Sequence, residues 1–111
     1  EIFGLNRDDK SIVAQIISFH RGSKMPQEDE EFRLLSRSRR MTVLKLSAIL
    51  RVADALDRTH KQHLYNFNIS FAKDSITFRT KGHNNLSLEK LAVSEKGDLF
   101  ENIFGYKIVL V

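Results

Sequence analysis

Cysteine is absent from this 111-residue chain. Disulfides and thiolate metal sites are therefore excluded, and a reducing, cytoplasmic compartment is the default expectation. Proline occurs once, at Pro26, and no repeat, low-complexity tract or long linker interrupts the chain. No apolar run approaches the roughly 20 residues that span a bilayer, and nothing resembles a signal peptide, so no membrane partner is expected. A glycine-rich phosphate loop, a Gly-x-Ser-x-Gly elbow and zinc-type ligand spacing are all missing. No histidine is followed by aspartate, so the chain carries no His-Asp dyad of its own.

What is present is a soluble balance of 41% hydrophobic and 29% charged residues, enough for one domain or a compact fragment of something larger. The net charge is +4, which makes an anionic partner such as a phosphate chain plausible. The chain begins at Glu1, and the expectation is a piece excised from a longer protein.

Two halves differ in period, and together they predict an α+β chain: a helical part over residues 1–63 and a small ββαβ unit over residues 64–111. In the first half, Asn6 and Asp9 form a plausible cap for a helix through Ile12, Val13, Ile16, Ile17 and His20, with Gly22 as its stop. A loop through Pro26 leads to a short helix at 31–35, and Ser36 or Ser38 caps a long helix reaching about Thr59. In the second half, LYNFNISFA alternates apolar and polar residues with a period of two, turns at Lys73-Asp74 and returns as SITFRTK with Ile76 and Phe78 inward. Leu88, Leu91, Ala92, Leu99 and Ile103 form one helical stripe running through Gly97, and YKIVLV closes the unit as a buried strand.

The long helix carries the chemistry of interest. It is apolar nearly all round, which places it centrally, with one narrow polar line. At about 100° per residue, Arg40, Ser47, Arg51, Asp54 and Arg58 fall within an arc of roughly 60°. Asp54 is three residues after Arg51 and four before Arg58, so a plain ion-pair network along the helix explains the pattern as well as a functional cleft does. His20 lies on the apolar side of its helix, where a satisfied core histidine is the commoner outcome; His60, His63 and His83 read as solvated. His20 and Asp54 would supply only two ligands of a metal site. Nucleic acid is disfavoured: Arg37, Arg39, Arg40 and Lys45 do not share one recognition face, and the aromatic strand alternates with Asn and Ser rather than Arg or Lys.

ISFHRGSKMP, LLSRSRRMTVLKLSAILRVADALDRTHKQ and GDLFENIFGYKIVLV together resemble the C-terminal region of the exopolyphosphatase / guanosine pentaphosphate phosphohydrolase family. LRVADALDRTH is the most specific part of that resemblance. It implies an HD-like helical domain followed by a small α/β piece, attached to catalytic actin-like domains that bind magnesium and lie outside this chain. No catalytic residue is then expected here, no cofactor in this chain, and magnesium only in the parent enzyme. Asp54 matches the last metal-binding aspartate of an HD domain, and His20 an additional histidine ligand. The resemblance further implies that Arg40, Arg51 and Arg58 contact polyanionic substrate, inorganic polyphosphate or guanosine pentaphosphate, and that the chain forms a homodimer. The rival reading is the C-terminal half of a metal-dependent HD phosphohydrolase, whose His-Asp pair would precede Glu1.

Overall fold

The computed structural model describes residues 4–21, 26–58, 67–80 and 85–111. Its elements run α1 (Arg7–Arg21), α2 (Glu30–Arg33), α3 (Arg37–Leu56), β1 (Phe67–Phe71), β2 (Ser75–Thr80), α4 (Ser87–Lys96), α5 (Asp98–Phe104) and β3 (Lys107–Leu110), with one 3-10 turn at Pro26–Glu28. An α-helical N-terminal region thus precedes a region of mixed strands and helices. The chain divides into two compact units, Glu1–Ser47 and Ala48–Val111, and the division falls inside α3.

In the first unit the caps are those the residue types favour. The Asn6 Oδ1 accepts from the Asp9 N–H at 2.8 Å, while Asp9 Oδ2 accepts from the Asn6 N–H at 3.3 Å. This reciprocal arrangement satisfies donors that a helix start leaves without partners. Asp29 caps α2 through the Phe32 N–H, and Ser36 Oγ accepts from the Arg39 N–H at the start of α3. Phe19 and Phe32 meet edge to face with centroids 6.2 Å apart, and both are buried. Such a pair contributes about 0.5–1.5 kcal/mol beyond the area it buries. Gly22, the expected stop of α1, lies outside the described residues.

In the second unit β1 and β2 form an antiparallel hairpin with Phe67 opposite Thr80 and Phe71 opposite Ile76. Lys73 and Asp74 make the turn, closed by the Ala72 N–H donating to the Ser75 carbonyl at 2.9 Å. The β3 strand lies parallel to β2, Ile76 beside Ile108 and Phe78 beside Leu110, giving the order β1-β2-β3. A parallel neighbour requires a crossover connection, which α4 and α5 supply by packing back on β3. Val52 and Ala55 of α3, Ile76, Leu86, Val93, Ile108 and Leu110 form the core. Each large side chain so buried is worth about 1.5–3 kcal/mol.

Two expectations change. The helical stripe through Gly97 is not one helix: α4 ends at Lys96 and α5 begins at Asp98. At Gly97 the chain passes so close to itself that a Cβ would stand 2.8 Å from the Val93 carbonyl oxygen. The expected ββαβ order is therefore ββααβ. The long helix also ends earlier, at Leu56, with Asp57 and Arg58 in the turn that follows. The next residues, through Asn66, are outside the described part.

Candidate polyanion-binding site

The first turn of α3 begins an open cleft in the first unit, about 460 Å³ in volume and lined by Phe32, Arg37, Arg40, Met41 and Leu44. On α3 these residues stand at i, i+3, i+4 and i+7 and share one face, so two guanidinium groups flank an apolar floor. Its size falls in the range of small-ligand clefts, about 300–1,000 Å³.

The electrostatics at this end of α3 are unusual. Helices ordinarily carry acids in their first turn, where the macrodipole is positive. Here that turn holds no acid and three arginines, at positions 37, 39 and 40. Their charges add to the positive helix end instead of offsetting it. Arg39 is turned to α1, its Nη2 3.0 Å from Asp8 Oδ2 at the exposed surface. Arg37 and Arg40 are the two that line the cleft.

The remaining residues of the polar line are placed differently. Ser47 is fully buried, and its Oγ has no hydrogen-bond partner among the described residues. Arg51 is only 7% exposed, within the second unit. Burial holds its guanidinium pKa below the ordinary arginine value, and the negative field of Asp98 pushes it partly back up. Asp54 is half-buried on α3, and Arg58 is exposed just beyond its end. The line predicted along one helix is thus one cleft-lining arginine, a buried centre and an exposed terminal arginine.

His20 is half-buried near the end of α1, its Nδ1 3.1 Å from the Ile16 carbonyl oxygen one turn earlier. That contact is the satisfied-histidine arrangement. Asp54 belongs to the other compact unit. Among the described residues no group of three or more His, Cys, Asp or Glu side chains comes together to hold a metal ion.

Arg37 lines the cleft beside Arg40, although the polar line read along the helix does not include it. Its spacing of three from Arg40 was a readable signal. On the helical wheel Arg37 lies about 60° from Arg40, off the polar line that runs to Arg58.

A basic, partly apolar cleft suits a phosphate chain better than a neutral substrate, and the comparison with known families bears on that choice. Residues 1–98 match the family model described as Ppx/GppA phosphatase, domain III. The chain belongs to the Ppx/GppA phosphatase family. The match ends at Asp98, the first residue of α5, so most of α5 and all of β3 lie past it. Comparison with curated proteins finds no match. Among the described residues no helix of this domain III is long and apolar enough to cross a membrane.

Proposed function

We infer that this chain is a non-catalytic C-terminal module of an exopolyphosphatase-type phosphatase: it binds the inorganic polyphosphate chain for catalytic domains elsewhere in the parent enzyme, and it dimerises. One observation carries the binding reading. Arg37 and Arg40 flank an open cleft at a helix start that lacks any acid. Guanidinium groups offer planar, paired donors to phosphate oxygens and remain charged at every accessible pH. Arg58, exposed after α3, adds a secondary phosphate contact, whereas Arg51 supports the fold from its buried position. Residues 1–63 would be the HD-like part and residues 64–111 the α/β piece of such a module.

The dimer reading is supported by apolar side chains left at the surface: Ile49 and Leu50 on α3, and Ile69 and Phe71 on β1. Exposed apolar patches of this kind mark interaction surfaces more often than chance.

The test is a titration of long-chain polyphosphate against the 111-residue chain, with guanosine pentaphosphate as competitor. Binding that is weakened by Arg37→Ala combined with Arg40→Ala, at unchanged circular dichroism, supports the reading. Absence of binding at low salt removes it.

A further inference from the structure

Strand β1 forms one edge of the sheet and hydrogen-bonds only to β2 among the described residues. The phase of its free side can be read from the hairpin. Ala72 and Ser75 are a hydrogen-bonded pair, and such pairs alternate along an antiparallel ladder. Asn68 and Ser70 therefore turn their backbone groups to β2. Phe67, Ile69 and Phe71 turn theirs outward, to the open edge.

Open edges are normally blunted by lysine, proline or a bulge, because they template pairing with another chain. The β3 edge carries Lys107, but β1 is FNISF, with no charge, no proline and no bulge in its register. Its side chains are unfinished as a core. Phe67, Ile69 and Phe71 stand opposite Thr80, Phe78 and Ile76 and share their face of the sheet. Ile76 is buried, while Ile69 is 48% and Phe71 71% exposed.

The pattern also names the occupant, because FNISF reads nearly the same in both directions about Ile69. We propose that β1 is the seam of the dimer inferred above, two copies pairing antiparallel on a two-fold axis through Ile69. This rests on that dimer reading and gives it a place. On such an axis Ile69 meets the partner's Ile69, Phe67 meets the partner's Phe71, and Asn68 meets the partner's Ser70. The apolar residues fall on hydrogen-bonded pairs, because their backbone groups already point outward. Two sheets become one, and the exposed apolar face continues across the seam. A chain of net charge +4 repels its copy in general, yet no charged residue lies within the paired strands.

The experiment measures the mass of the 111-residue chain by sedimentation equilibrium across micromolar concentrations, for the native sequence and Ile69→Lys. The lysine substitution sets two like charges against each other on the axis, and it should convert dimer to monomer with the circular dichroism spectrum retained. A second pair of variants keeps the result decidable should Ile69→Lys not fold. Because the chain lacks cysteine, Ile69→Cys introduces a single thiol. Opposed residues of a hydrogen-bonded antiparallel pair have Cα atoms about 5.5 Å apart, within the roughly 4.4–6.8 Å that a disulfide spans. In Asn68→Cys the two thiols sit off the axis, beyond the roughly 7 Å limit, and should cross-link at least about tenfold more slowly. A dimer that persists in Ile69→Lys, or equal cross-linking of the two cysteine variants, overturns the seam while leaving dimerisation elsewhere. A chain monomeric at every concentration overturns both the seam and the dimer reading, and leaves the polyphosphate titration untouched.

Discussion

Arg51 is buried at 7% exposure, and the fold disfavours its charge through desolvation, with Asp98 opposing that effect. A base whose folded pKa is lowered costs stability while it is protonated, and that cost is removed as pH rises from its folded pKa to its unfolded pKa. For an arginine this window is strongly alkaline, so Arg51 introduces no pH dependence across the neutral range. The side chain is nearly fully covered and lies in the field of the Asp98 carboxylate. Arg51→Ala is expected to lower stability by about 1–3 kcal/mol, the range for truncating a buried hydrogen-bonding side chain. It should leave polyphosphate affinity within about twofold, apart from any unfolded fraction. Arg40→Ala should do the reverse, changing stability by less than about 0.5 kcal/mol, as surface substitutions do, and weakening binding. Urea denaturation beside a binding titration on both variants separates the two roles. Equal losses of affinity would return Arg51 to the binding site.

At the scale of elements, most of the fold was legible because local chemistry decides it. The period-two alternation of FNISF and SITFRT and the apolar run after Lys107 in KIVL are strands by pattern alone. Asn6 with Asp9 and Ser36 before α3 could be read as caps from residue type and spacing. The break at Gly97 could not, since the apolar stripe continues through both helices and does not mark where one ends and the next begins. Nor does a helical wheel say what covers a face. The apolar arc of α3 reads as central, yet Ile49 and Leu50 stand exposed, while Ser47 and Arg51 of the polar line are buried. Gly97 gives the prediction that belongs here. Replacing glycine by alanine inside a helix ordinarily stabilises by roughly 0.5–1 kcal/mol. At Gly97 the added methyl meets backbone at 2.8 Å, which cannot rotate away, so α4 and α5 must shift against β3. Gly97→Ala is therefore expected to destabilise by about 1–2 kcal/mol, in line with overpacking elsewhere. A raised melting temperature in this variant would show that the two helices adapt freely to each other.

For the whole chain, an excess of 18 basic over 14 acidic residues is too small to bind a polyanion by its mean field. What matters is local density. Three arginines within four positions at a positive helix end, two of them on one cleft, concentrate the charge that the composition spreads out. Salt dependence distinguishes these cases. For a flexible polyanion, each neutralised phosphate contributes roughly −0.7 to the slope of log affinity against log salt, by analogy with single-stranded nucleic acid. If Arg37 and Arg40 each hold one phosphate, removing both should flatten the slope by roughly 1.4. Their hydrogen bonds to a charged group are worth about 1.5–3 kcal/mol each, so the double variant should bind at least about tenfold more weakly. Lys45→Ala, an exposed charge on α3 that does not line the cleft, serves as the control for mean charge. It should shift affinity slightly and the slope by much less than the double variant. If Lys45→Ala and either cleft arginine changed the slope equally, binding would be a property of net charge and the cleft would have no part in it.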